Sequence, residues 1–168
     1  SCCNKLHQVV LPISIEEIED SAFANCSSLK SISLPMALKT IGDGALKGTG
    51  LRTIEIPKSV FWLGDELVAD CQSIEHVTIP ENIGRIPDHM FEGCTSLKKV
   101  ELHEKLGAIG ERAFFGCSSL DFIVIPDSVK QIGQDAFTNT DKQFIIQCSF
   151  GSYAEEYARK NKFKYQLV

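Results

Sequence analysis

The chain has 168 residues, a formal net charge of −5, 43% apolar residues and 23% charged ones. One domain of this size buries a real core, and the composition excludes wholesale disorder. No apolar run is long enough to span a membrane, no basic segment followed by an apolar one marks a signal peptide, and mild acidity without a basic stripe argues against nucleic acid as a partner.

Taken in chain order, residues 1–12 hold only the second half of a unit that recurs later. Either residues upstream have been cut away or the first strand is an open edge at risk of pairing with another chain; truncation is the preferred reading. Residues 13–148 carry the repeats. Pro12, Pro35, Pro57 and Pro80 are 23, 22 and 23 apart, and Pro126 lies two periods further on, with His103 at the skipped position. Cys3, Cys26, Cys71, Cys94 and Cys117 form a second column that Thr49 and Thr140 complete.

Apolar columns run in the same register. Leu29, Leu51, Ile74, Leu97 and Leu120 follow the cysteine column; Ile32, Ile54, Val77, Val100 and Ile123 come next; Leu34, Ile56, Ile79, Leu102 and Ile125 precede the proline position. Beyond the proline, Ile15, Leu38, Val60, Ile83, Leu106 and Val129 recur, then Ile18, Ile41, Leu63, Ile86, Ile109 and Ile132. One such unit cannot bury its own apolar face, whereas stacked units turn each column into a continuous interior ridge.

The alternation around Ser31–Leu34, Thr53–Ile56 and His76–Ile79 predicts short strands. Proline closes each because it has no N–H to give to a ladder. The glycines after the second isoleucine column (Gly42, Gly64, Gly110, Gly133) predict a turn needing positive φ or close backbone approach, beside a short second strand or a 3₁₀ turn. In residues 149–168, Ser152 and Glu155 form a capping box opening a helix. Tyr153, Ala154, Tyr157 and Ala158 should face the stack, while Glu155, Glu156, Arg159 and Lys160 should mostly face out. Residues 162–168 should form a final strand. The fold class is thus a β-rich repeat solenoid of about six 22–23-residue units, with one parallel concave sheet and a C-terminal helix–strand cap, in a single domain over residues 1–168.

Asp127-Ser128-Val129-Lys130-Gln131-Ile132-Gly133 with Asp135-Ala136-Phe137, and Gly116-Cys117-Ser118-Ser119-Leu120 through Pro126, resemble the BspA-like, Treponema-type leucine-rich repeats. The resemblance covers about residues 3–148, and the tail resembles the family's capping helix. It implies a non-enzymatic protein-binding or adhesion module, cell-surface or extracellular, with a host or matrix protein as partner. The alternatives are a structural spacer displaying a neighbouring module and an intracellular scaffold.

The chemical candidates read as structure. The cysteine column lacks paired Cys-x-x-Cys spacing and accepts threonine, so it is a ladder of buried small groups; neither a metal site nor a disulfide frame fits it. Cys148 belongs with the buried strand positions, and Cys2 is the thiol most prone to reaction or cross-linking. His7, His76, His89 and His103 occupy different places in the unit and read as solvated; a metal site from His76, His103 and Glu101 is the lesser alternative. Asn25-Cys26-Ser27 matches an N-glycosylation acceptor, but the unit itself favours Asn or Gly before the ladder residue. No nucleophile elbow, acid/base pair or phosphate loop is present, so no enzyme activity and no cofactor are expected.

Binding is expected on the exposed sheet face. One outward column is Gln8, Ser31, Thr53, His76, Lys99 and Phe122; the other is Val10, Ser33, Glu55, Thr78, Glu101 and Val124. Phe122 and Val124 should anchor a protein contact, with Lys99, Glu101 and His76 setting specificity and Thr78, Thr53 and Glu55 lining the face. The competing reading has the cap folding over Phe122 and Val124. Phe61 and Trp62, where other units carry polar residues, form a patch on the opposite side, a second contact site or an oligomer contact.

Overall fold

The computed structural model describes residue 3 and residues 5–168; Cys2, the expected reactive thiol, lies outside the described residues. The chain coils through alternating long and short strands. The three-residue strands β1 (Gln8–Val10), β3 (Ser31–Ser33), β5 (Thr53–Glu55), β7 (His76–Thr78), β9 (Lys99–Glu101) and β11 (Phe122–Val124) lie along one wall. The two-residue strands β2 (Glu17–Ile18), β4 (Thr40–Ile41), β6 (Trp62–Leu63), β8 (Arg85–Ile86), β10 (Ala108–Ile109) and β12 (Gln131–Ile132) lie along another. β13 (Ile145–Cys148), the helix α1 (Tyr153–Lys160) and β14 (Lys164–Leu167) close the C-terminal end.

Every pairing among these strands is parallel. The long strands form the ladders β1–β3, β5–β7–β9 and β11–β13–β14, and the short ones form β2–β4–β6 and β8–β10–β12. Register follows the repeat column for column: Val77 pairs with Ile54 and Val100, and Ile41 pairs with Ile18 and Leu63. β3, β5 and β7 are each one residue shorter than the alternation predicts, ending before the last apolar residue. There the proline carbonyl takes over. It accepts the N–H three residues on, from Leu38 at 3.0 Å, Val60 at 3.0 Å and Val129 at 3.1 Å. His103 does the same for Leu106 at 3.0 Å, which is why it can replace proline.

The interior is the set of repeat columns. Leu29, Leu51, Ile74, Leu97 and Leu120 are fully buried, as are Leu38, Val60 and Leu106. In the C-terminal half the apolar position before the ladder residue is aromatic in successive coils. Phe91, Phe114 and Phe137 stack face to face at 5.1 and 5.2 Å, close to one strand spacing. Phe144 continues the stack at 5.3 Å, and Tyr157 and Phe163 of the cap meet Phe137 edge-on at 6.2 Å.

Two devices turn the chain between the walls. A left-handed residue opens each turn (Ser21, Gly44, Glu66, His89, Arg112, Asp135), and a second closes it (Asn25, Gly48, Asp70, Gly93, Gly116, Asn139). The second column explains the Asn or Gly before each ladder residue, since these and Asp are the residues that tolerate positive φ most cheaply. The glycine column after the second isoleucine serves close approach and needs no positive φ. A Cβ on Gly64 would lie 2.4 Å from the Asp43 backbone nitrogen.

Two sequence expectations are corrected at the cap. Glu155 faces in, only 4% exposed. Its carboxylate accepts the Gly151 N–H at 2.7 Å and pairs with Arg159, while Ser152 Oγ accepts the Glu155 N–H at 3.2 Å. Satisfying those partners offsets the cost of burying a charge. Tyr153, expected to face the stack, is instead exposed, and Ala154 and Ala158 make the buried contact.

Candidate functional site

The long-strand wall presents two rows of outward side chains because alternate residues of a strand point to opposite faces. Thr53, His76 and Lys99 are neighbours in one row, and Glu55, Thr78 and Glu101 in the other. Glu101 draws several of them together. Its carboxylate receives the Lys99 ammonium at 2.6 Å and the Thr78 hydroxyl at 3.4 Å, and lies 4.0 Å from His76 Nε2. The Lys99 hydrogen bond holds the Glu101 carboxyl below the usual carboxylate range. Thr53 and Glu55 stand one strand away and line a shallow trough of about 420 Å³ with His76, Thr78 and Pro80. A neighbouring trough of about 500 Å³ runs over Ser31, Ser33, Met36 and Lys58. Small side chains on these rungs create both hollows.

Phe122 and Val124 remain on the surface, 42% and 47% exposed. Phe122 is in register with half-buried Ile145, and Val124 with Gln147. The cap helix packs on β12, β13 and β14, on the other side of the sheet end, and leaves these side chains uncovered. Beyond them the face turns polar again at Lys164 and Gln166.

The remaining candidates separate. His103 does not join His76: its Nε2 meets the Ile83 carbonyl at 3.1 Å. His89 and Arg112 instead share Glu92, with Arg112 Nη2 at 2.6 Å from one carboxylate oxygen and its guanidinium carbon 3.6 Å above the Phe115 ring. The Arg112 hydrogen bond, aided by His89 and opposed by burial, brings the Glu92 carboxyl down to about 2. Among the described residues, no group of three or more His, Cys, Asp or Glu is placed to hold a metal ion. Of the ladder thiols, Cys26, Cys71, Cys94 and Cys117 are buried, whereas Cys3, expected to be buried with them, is exposed because no coil precedes it among the described residues. Cys71, Cys94 and Cys117 each donate to a carbonyl of the preceding coil, those of Leu46, Val68 and Phe91, at 3.1 Å. Burial pushes the Cys117 thiol up to about 12 and Cys94 well above its ordinary value.

Sequence reasoning missed an aspartate ladder on the short-strand wall. Asp20 Oδ1 accepts the Asp43 N–H at 2.8 Å, Asp43 that of Asp65 at 2.9 Å, and Asp65 that of Asp88 at 2.9 Å. The 22–23-residue spacing of four aspartates was its signal. Phe61 and Trp62 stand beside this ladder, 59% and 62% exposed.

These features define a stacked repeat solenoid with two long open walls, and comparison with known proteins places it further. The BspA type leucine-rich repeat region matches in six copies, over residues 1–121 and 84–164. The chain belongs to that family. A leucine-rich cell surface protein from Faecalibacterium prausnitzii superposes with a TM-score of 0.79 at 36% identity, covering 87% of this chain and 40% of its own. A leucine-rich repeat protein from Bacteroides ovatus gives 0.74 at 26% identity, covering 98% and 52%. The leucine-rich repeat protein of T. pallidum gives 0.56 at 26% identity, covering 85% and 59%. The chain therefore spans between two fifths and three fifths of the length of these solved relatives. No curated protein matches it.

Proposed function

We propose that this chain is a non-enzymatic protein-binding or adhesion module, displayed at a cell surface or secreted, that engages its partner through the long-strand wall. Phe122 and Val124 anchor the contact. Lys99, Glu101, His76 and Thr78 set its polar pattern, and the trough over Thr53 and Glu55 receives side chains of the partner. The carrying observation is the pair of adjacent apolar side chains, 42% and 47% exposed, at the C-terminal end of a face whose middle rungs are small or charged. Exposed apolar residues rimmed by charge supply most of the energy of a protein contact. Membership of the repeat family and likeness to a bacterial cell surface protein support the placement.

Immobilised host matrix proteins presented to the chain and to Phe122→Asp test this reading. The variant should keep its melting temperature within about 2 °C, since surface substitutions change stability by at most about 0.5 kcal/mol. It should lose at least about tenfold in affinity for whichever matrix protein the native chain retains. Equal retention of both chains removes Phe122 from the contact.

A further inference from the structure

The short-strand wall carries an aromatic step that the binding face does not explain. Phe61 and Trp62 are 59% and 62% exposed. Trp62 is in register with Thr40 on one side, while on the other the ladder is interrupted, since β6 and β8 do not pair and the next coil carries Gly84 and Arg85 at these repeat positions. Gly84 leaves open space where a side chain would stand, so Phe61 rises as the wall of a hollow of about 430 Å³ floored by Ile83, Gly84 and Pro87. The step is rigid, because the backbone N–H groups of both aromatic residues converge on the Lys39 carbonyl, at 3.0 and 3.4 Å.

The charge around this step is one-sided. Each nearby cation already has its own carboxylate: Lys39 pairs with Glu16 at 2.7 Å, and Arg85 pairs with Asp88. Glu17, Glu19, Asp20, Asp43 and Asp65 are exposed, and among the described residues no cation pairs with them. Asp43 and Asp65 line the hollow itself. Two carboxylates beside the exposed aromatic faces, with three more two strands away along the same wall and none in an ion pair, are complementary to cationic side chains that are also planar or apolar along their stems. Guanidinium and ammonium side chains fit that description, since they stack on rings and pair with carboxylates at once. A neutral sugar would use the rings and leave the charges without a role. A second copy of the chain, at net −5, would bring like charge to the face.

We infer that the Phe61–Trp62 step is a second docking surface, on a different wall from the long-strand face, for an arginine- and lysine-rich extended segment of another protein. Its aromatic rings hold the cationic side chains, and the carboxylates of Glu17, Glu19, Asp43 and Asp65 steer and orient them.

The test is fluorescence anisotropy of a labelled hexa-arginine peptide titrated with the chain, against a hexa-citrulline control of the same shape and no charge. Phe61→Gly with Trp62→Gln removes both rings and adds no charge. Gly84, Gly107 and Gln131 already occupy these positions in other coils, so the variant folds. Glu17→Gln with Asp65→Asn removes two charges, and the amide oxygen introduced by the second change still accepts the Asp88 N–H that the carboxylate holds at 2.9 Å. Saturable binding of hexa-arginine is expected, weakened about tenfold by the aromatic double variant, about fivefold by the charge variant, and progressively by salt. Hexa-citrulline binding equally well, or hexa-arginine binding undiminished by the aromatic variant, overturns the inference. So does sedimentation showing that the native chain self-associates and the aromatic variant does not, or quenching of Trp62, the only tryptophan, by a neutral oligosaccharide alone.

Discussion

At the scale of single residues, the ladder position shows how one site serves two bonding schemes. Cysteine donates backwards, from Cys94 to Val68 and from Cys117 to Phe91, and so ties neighbouring coils. Threonine donates within its own coil, Thr49 Oγ1 to Leu46 and Thr140 Oγ1 to Phe137, each at 2.9 Å, and Thr49 Oγ1 also meets Cys71 Sγ of the next coil at 3.2 Å. Both schemes satisfy the hydroxyl or thiol away from water, which is why the two residues interchange. Cys94→Thr should therefore cost less than about 1 kcal/mol in urea unfolding, whereas Cys94→Asp, which buries an unpaired charge, should cost several. Glu92 makes a pH-dependent contribution. Its carboxyl sits at about 2 against an ordinary 4.5, so the stability it adds is complete above 4.5 and disappears as pH falls toward 2. Melting temperatures of Glu92→Gln across that window should decline less steeply than those of the native chain.

At the scale of the element, the repeat period makes the strands, their order and their parallel pairing legible, because one-residue slips would turn buried columns outward. The aspartate ladder is not legible in the same way, since an exposed polar column looks like any solvated surface until its backbone partners are known. The glycine column admits two physical reasons from sequence alone, and close approach is the one that holds. Gly64→Ala would press a Cβ within 2.4 Å of backbone and should cost about 1–3 kcal/mol, while Gly84→Ala, which meets nothing within 4 Å, should stay within about 1 kcal/mol. Chemical denaturation of the two variants side by side checks this. The inward turn of Glu155 escapes the helical pattern because the donor it satisfies, the Gly151 N–H, lies outside the helix.

For the whole molecule, stability passes along columns, so its ends matter most. The aromatic stack from Phe91 to Phe144 is sealed by Tyr157 and Phe163, which lie 6.0 Å apart and nearly parallel. Phe163→Ala opens the last layer and should cost about 2–3 kcal/mol, below the ~3–5 kcal/mol of a fully buried aromatic truncation because Phe163 is only partly buried. A thermal melt should move as one transition. The outward rows are legible in the sequence because strand alternation assigns them. Their grouping around Glu101 is not, since long side chains choose partners that spacing alone does not rank.

The turn after the ladder residue varies in length. Buried Leu29, Ile74, Leu97 and Leu120 each follow their cysteine by three positions, but Leu51 follows Thr49 by two and Phe144 follows Thr140 by four. Gly50 makes the shorter path possible, since a Cβ there would lie 2.3 Å from the Ser27 carbonyl. Both irregular turns occur where threonine bonds within its own coil and makes no bond to the carbonyl that a ladder cysteine would reach. This corner is the molecule's expansion joint: chain length can change there without disturbing either wall, and a grafted epitope or label belongs at that bend.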